Sequence, residues 1–320
     1  METLKTAVIG TGQMGQHHAR VYSEIQGSEL TAIADIDFER AKEMAKKYGA
    51  RAYKDYEEML KKERPDAVSV AVPTRLHRKV GENVLNYSNL LIEKPIADKE
   101  EDGRALVKKA EESGKKLMVG HIERFNPIIQ YFKEWVEKHG GKYLSFNVVR
   151  IGLPNPRAGI TSGVILDLGI HDIDIIRYLT SQDVLKVDAK AMSFFKETNF
   201  EDHAHIWIKM KDASASIVVN WTSPVKIREM YVTLDRAFVK INYLKQSMEI
   251  SMRNEEPLDD RMIGYPTKQI NLKYREPLKI EIEEFLNSIK EDREPLISGK
   301  ESLHSLKVAL EAEKIARGMR

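Results

Sequence analysis

The chain has 320 residues, 42% hydrophobic and 31% charged, with 51 Lys and Arg against 49 Asp and Glu and a formal net charge of +2, a length that favours two domains over one. The charges are interspersed, with no basic block to track phosphates and no apolar run near the ~18 residues of a membrane span, so neither nucleic acid nor membrane is an expected partner. The complete lack of cysteine excludes disulfides, zinc–thiolate sites, iron–sulfur clusters and cysteine nucleophiles.

The first strand is expected almost at Met1, which leaves no room for a signal peptide and points to the cytoplasm. Apolar runs at Leu4–Ile9, Leu30–Ala34, Ala67–Ala71, Asn89–Ile92 and Lys116–Val119 read as strands. Between them, Gln13–Gln26, Phe38–Lys47, Tyr56–Lys62, Leu76–Asn86 and Glu100–Ser113 carry helical periodicity. Such alternation predicts a parallel sheet covered on both faces.

The pattern changes after about residue 121. A helix over Pro127–Lys138 and a strand over Lys142–Ile151 lead into the loop Gly152–Gly163, then a helix over Val164–Leu179. Period-two segments follow at His203–Met210, Ala215–Trp221, Met230–Leu234 and Phe238–Asn242, predicting a mostly antiparallel sheet. Helices over Leu278–Lys290 and Lys300–Arg317 close the chain. The fold class expected is α/β: a Rossmann domain over 1–121, then an α+β domain over 122–320 with a large open-faced sheet. The last helix, about 300–318, is expected to pack on the Rossmann domain.

Directly after the first strand stands Gly10-Thr11-Gly12-Gln13-Met14-Gly15, a G-x-G-x-x-G at a strand-to-helix turn. Gly10 permits the turn, Gly12 lets backbone approach a pyrophosphate, and Gly15 allows close helix–strand packing. Asp35 closes the second strand at the spacing of a ribose-binding carboxylate. Ile36 after it brings no positive charge for a 2′-phosphate, so NAD is expected over NADP. A glycine-rich turn that binds nothing, with Asp35 as a helix cap, is the plain alternative.

Glu93-Lys94-Pro95 follows the strand Asn89–Ile92 at the sheet edge that faces the ligand crevice in open α/β folds. Lys94 can donate there to a substrate oxygen, or simply pair with Glu93 at the surface. Asp167 and His171 fall at i and i+4 of a helix, a carboxylate beside a group suited to proton transfer near neutral pH. A helix cap and an interior histidine would give the same spacing. His203 and His205 share one strand face, but no third ligand of suitable spacing is near, and no metal is expected.

The opening GTGQMGQHHAR, VPTRLH at 72–77, EKPIA at 93–97, DLGIHDIDIIRYL at 167–179 and the terminal SLKVALEAEKIARG together resemble the Gfo/Idh/MocA oxidoreductase family over nearly the whole chain. The resemblance implies that Lys94, Asp167 and His171 match catalytic positions, and that Pro73, Thr74, His77 and Glu93 border the nicotinamide and its ribose. It implies a homodimer or homotetramer formed through the second domain's sheet. His121–Pro127 and Gly163–Leu179 resemble the branch that oxidises UDP-N-acetylglucosamine to a 3-keto sugar, which implies Glu123 and Asn126 as contacts to substrate hydroxyls. A nucleotide diphosphate needs cations; Arg150, Arg157, Lys226 and Arg228 are available, with solvated basic residues as the bland alternative. The expected ligand is therefore a sugar or nucleotide sugar. Other readings are a free polyol or monosaccharide dehydrogenase and an NAD-binding regulatory protein without turnover.

Overall fold

The computed structural model describes residues 3–153, 162–195, 199–253 and 266–318. Two compact units divide the chain: Met1–Ile122 with Glu276–Leu306, and Glu123–Arg275 with Lys307–Arg320.

In the first unit, strands β1 (Leu4–Ile9), β2 (Ser28–Ala34), β3 (Arg51–Tyr53), β4 (Ala67–Val70), β5 (Asn89–Glu93) and β6 (Leu117–Gly120) form one sheet in the order β3-β2-β1-β4-β5-β6. Every pairing in it is parallel. β4 is buried at every position, and β1 at all but Lys5, as a sheet covered on both faces requires. Helices α1 (Gln13–Glu24), α2 (Phe38–Tyr48), α3 (Tyr56–Glu63), α4 (His77–Leu85) and α5 (Glu100–Ser113) connect the strands. Asp37 caps α2 by accepting from the Arg40 amide, and Asp55 caps α3 through the amides of Glu57 and Glu58. The strand order reverses between β1 and β4, the switch point where such sheets bind ligands.

The second unit begins with α6 (Pro127–His139), whose first turn is capped by Asn126 and opened by Pro127. Strand β7 (Tyr143–Ile151) follows. A π-helical turn over Ile165–Gly169 then runs into α7 (Ile170–Thr180), where sequence periodicity predicts one regular helix. Strands β8 (Lys186–Met192), β9 (His203–Lys209), β10 (Ser214–Asn220), β11 (Ile227–Leu234), β12 (Ala237–Asn242), β13 (Ser247–Met252) and β14 (Thr267–Asn271) complete an eight-stranded sheet. Its order is β14-β13-β12-β11-β7-β10-β9-β8, with β7 and β10 parallel and all other neighbours antiparallel. Phe146, Val148, Ile206, Ile217, Met230 and Val239 bury one face. The strands β3, β8, β13 and β14 are additions to those expected from sequence.

Helices α8 (Pro277–Lys290) and α9 (Gly299–Ala316) close the chain. α8 packs on α1, and the first half of α9 lies against α5, where a Cβ on Gly103 would come within 2.7 Å of Leu303. Among the described residues, no helix is long and apolar enough to cross a membrane.

Candidate active site

The turn between β1 and α1 has the shape a dinucleotide cradle needs. Gly10 has φ 90°, and a Cβ there would lie 2.6 Å from the Ala71 carbonyl oxygen. A Cβ on Gly15 would lie 1.8 Å from the Gly10 carbonyl oxygen, so only glycine lets α1 start this close to β1. At Gly12, by contrast, a Cβ would meet nothing within 4 Å. No side chain caps α1 at Gly12, and its first turn holds no acidic residue, so its amides and dipole face that space. Gln13 is exposed and Met14 half-buried beside it.

Asp35, at the end of β2, is locked to this turn. Its Oδ2 accepts from the Thr11 amide at 2.6 Å and the Thr11 hydroxyl at 2.7 Å, and its Oδ1 accepts from the Asp37 amide at 2.8 Å. Burial alone raises its pKa; the Thr11 and Asp37 hydrogen bonds and the charge of Arg40 outweigh it, and the carboxyl sits below its usual range. Ile36 is 86% exposed and uncharged as expected, but Arg40 of α2 stands 3.4 Å from Asp35 Oδ1. The nearby cation missing from residue 36 thus comes from a helix turn later, where no spacing rule pointed. The turn, the uncapped helix start and Asp35 fit a dinucleotide.

On the other side of the switch point, the loop after β4 exposes Pro73 and leaves Thr74 half-buried. His77 is 1% exposed and ties that loop to the next, its Nδ1 2.9 Å from the Pro95 carbonyl and its Nε2 3.0 Å from the Val72 carbonyl. Burial pushes its pKa down, so a neutral ring donates to one carbonyl at a time. His77 is therefore a structural tie between the two loops. Glu93, the last residue of β5, is buried with one oxygen 2.9 Å from His18 Nε2, while His18 Nδ1 meets Ser69 Oγ at 2.9 Å. Burial raises the Glu93 pKa, and the His18 hydrogen bond and charge, with Lys94 and His77, together more than reverse it. Lys94 follows at the carboxyl edge of the sheet, half-buried, and the Lys94–Pro95 peptide is cis.

In the second unit, the π-helical turn and α7 form an almost wholly buried rod. Between Gly163 and Arg177, Asp167 and His171 alone are not fully buried. They therefore share one accessible stripe, as the i, i+4 spacing anticipates. A π-turn at the carboxylate is itself a feature that recurs at functional sites. The neighbouring acids are committed elsewhere. Asp172 takes a bidentate pair from Arg150 at 2.6 and 2.8 Å, and Asp174 takes one from Arg124 at 2.6 and 2.7 Å.

That pairing corrects the expectation for Arg150 as a substrate-facing cation. It is 1% exposed, and its remaining Nη1 donates to Glu123 at 2.7 Å. Glu123 is likewise occupied by Arg150 and by the Asn126 amide at 3.2 Å. Asn126, 3% exposed, caps α6 as its helix-start reading expects, and donates to the Tyr243 carbonyl at 3.1 Å. Arg157 lies outside the described residues. Arg228 on β11 pairs in register with Arg150 on β7, and burial first, then the Arg150 charge, push its pKa down to about 10. Its Nη1 is buried without a hydrogen-bond partner. Lys226 is lowered as well, by burial and then by Arg228. Local spacing carries no signal for the Arg124–Asp174 and Arg150–Asp172 pairs, because each joins segments far apart in sequence.

Comparison with known proteins identifies the family and the fold. Residues 4–121 match the model of an oxidoreductase family with an NAD-binding Rossmann fold, and residues 154–239 match a GFO/IDH/MocA C-terminal domain. The chain is 30% identical to UDP-N-acetylglucosamine 3-dehydrogenase of Acidithiobacillus ferrooxidans, over 96% of each chain. A solved structure of that enzyme superposes with a TM-score of 0.91 at 29% identity, covering 100% of this chain and 99% of the other. Myo-inositol 2-dehydrogenase of Thermotoga maritima is 25% identical over 97% of this chain and 96% of its own. An NAD-binding Rossmann domain followed by that C-terminal domain makes the chain a member of the GFO/IDH/MocA oxidoreductase family.

Proposed function

We propose that the chain oxidises a secondary hydroxyl of a sugar with NAD, and that its substrate is UDP-N-acetylglucosamine, taken to the 3-keto sugar. The observation that carries the chemistry is the accessible Asp167–His171 stripe on an otherwise buried helix. Similarity along nearly the whole length to an enzyme of that name supports the substrate.

The glycine turn and Asp35 would hold NAD, which would supply the hydride acceptor for such an oxidation. In this reading His171 takes the hydroxyl proton. Lys94 donates a hydrogen bond to the same oxygen and stabilises its developing negative charge. Asp167 orients the sugar. Pro73 and Thr74 border the nicotinamide, with His77 and Glu93 setting the two loops behind it. Among the described residues, Arg228 and Lys226 are the candidates left for the diphosphate, since Arg150 is spent on Asp172 and Glu123. Copies of the chain associate through the outer face of the eight-stranded sheet, where Trp207 and Phe238 are 43% and 46% exposed.

The test incubates the protein with NAD and a panel of UDP-sugars, free sugars and polyols, and follows products by mass spectrometry for loss of two hydrogens. Oxidation of UDP-N-acetylglucosamine is the expected result. Turnover of a free polyol with none of any nucleotide sugar would replace it with an inositol-type dehydrogenase; tight NAD binding with no product anywhere would make the protein a sensor.

A further inference from the structure

One buried acid has no place in the scheme above. Glu281 lies on α8 at 0% exposure, and both of its carboxyl oxygens are buried without a hydrogen-bond partner. It sits in the apolar stripe of the helix, between Leu278 and Phe285, where a hydrophobic side chain would be expected. One of its oxygens, an oxygen of Glu93 and a ring nitrogen of His18 lie within 4.8 Å of one another.

An ionised carboxylate in that position would be dry, undonated and next to a second carboxylate. The available donors are already used. His18 divides its two nitrogens between Ser69 and Glu93, and the Tyr22 hydroxyl pairs with Ser69 at 2.8 Å. A divalent cation could in principle collect the same three groups. However, His18 Nε2 and Glu93 Oε1 are directly hydrogen-bonded at 2.9 Å, and a metal ligated by both would have to displace the proton between them. The geometry suits a proton. Burial, and then the charge of Glu93, hold the Glu281 pKa well above the usual carboxylate range.

We propose that Glu281 is a neutral carboxylic acid, a positioning residue that shares its proton with Glu93 and keeps a single negative charge behind Lys94. An oxygen of Glu93 lies within 4.8 Å of a Glu281 oxygen and is the acceptor with which the Glu281 proton is shared. With Glu281 neutral, the charge of Glu93 is balanced between His18 and Lys94. With Glu281 ionised, a second charge competes with any substrate oxygen for the Lys94 ammonium. The groups that face this pair are His18 and Tyr22 from α1, Glu93 from β5, Lys94 just beyond it and His77 from α4. The Lys94 part of the proposal rests on its substrate role in the reading above; the protonation of Glu281 does not.

Glu281 binds its proton more tightly folded than unfolded. Its contribution to stability is therefore intact below the unfolded pKa and is lost as pH rises toward the folded value. Glu281→Gln keeps the neutral shape at every pH. The melting temperature of the variant minus that of the parent should then rise steadily from pH 5 to pH 9. Infrared difference spectra at pH 7 should show a protonated-carboxyl band in the parent that the variant lacks. Should the variant not fold, an infrared pH titration of the parent with labelled glutamate reads the same band. In turnover, the ratio of kcat/KM of variant to parent should climb with pH, which loss of packing alone would not produce. A flat melting difference, the absence of the band, or one equivalent of tightly bound divalent metal would each overturn the proposal. If no sugar is oxidised, the functional reading fails, while the band and the melting series still decide the state of Glu281.

Discussion

Thr11 aims both its amide and its hydroxyl at one oxygen of Asp35, at 2.6 and 2.7 Å. The residue inside the glycine turn thus fixes the carboxylate at the end of β2, and turn and strand end are joined through one residue. The other Asp35 oxygen is held by the Asp37 amide and neighbours the Arg40 guanidinium.

Asp35→Ser should expose Arg40 to a 2′-phosphate. The ratio of kcat/KM with NAD to that with NADP should fall at least about tenfold, the equivalent of ~1.4 kcal/mol. An unchanged ratio would remove Asp35 from the cofactor site.

The same contact predicts an acid response. Asp35 ionises more readily folded than unfolded, so its contribution to stability is present above the unfolded pKa and lost as pH falls through the folded value. Asp35→Asn should lower the melting temperature at pH 7, and the gap to the parent should close on acidification toward pH ~3. Melting curves across that range check the sign.

Gly15→Ala would drive a methyl to 1.8 Å from the Gly10 carbonyl oxygen. Overpacking of that kind costs about 1–3 kcal/mol and must move α1 away from β1. NAD affinity, measured by fluorescence quenching or calorimetry, should fall at least tenfold while the second unit melts normally.

Along the rod formed by the π-helical turn and α7, the acids should divide cleanly. Asp174→Ala strands the buried Arg124 guanidinium and should cost about 3–5 kcal/mol of stability. Asp167→Asn, on the accessible stripe, should change stability by less than about 1 kcal/mol and lower turnover instead. Chemical denaturation of both variants, with assays of the second, tests the division.

The first unit was legible because its signals are local. Buried runs with short periodic helices mark a parallel sheet, and the glycine turn declares itself by spacing. β3 escaped because Arg-Ala-Tyr is too short to show a period. β14, Thr-Lys-Gln-Ile-Asn, is a polar edge strand whose pairing with β13 depends on its neighbour and not on its own pattern. The shared face of Asp167 and His171 followed from the i, i+4 reading, but the π-turn left no trace in the residue pattern. Arg150 and Glu281 were opaque for another reason. Each owes its character to a partner, or the lack of one, distant in sequence: Arg150 reads as a cation available to a diphosphate until Asp172 is beside it, and Glu281 is one of three acids in α8 until that helix packs on α1.

The paired guanidinium contacts on α7 have a mechanical consequence. Residues two apart on a helix project roughly 200° from each other, so Arg150 and Arg124 grip the rod from nearly opposite sides. Gripped on both flanks, the rod resists rolling about its axis and sliding along it. The orientation of the His171 ring's backbone is thereby decided when the chain folds, and little of that ordering remains to be done when a ligand arrives.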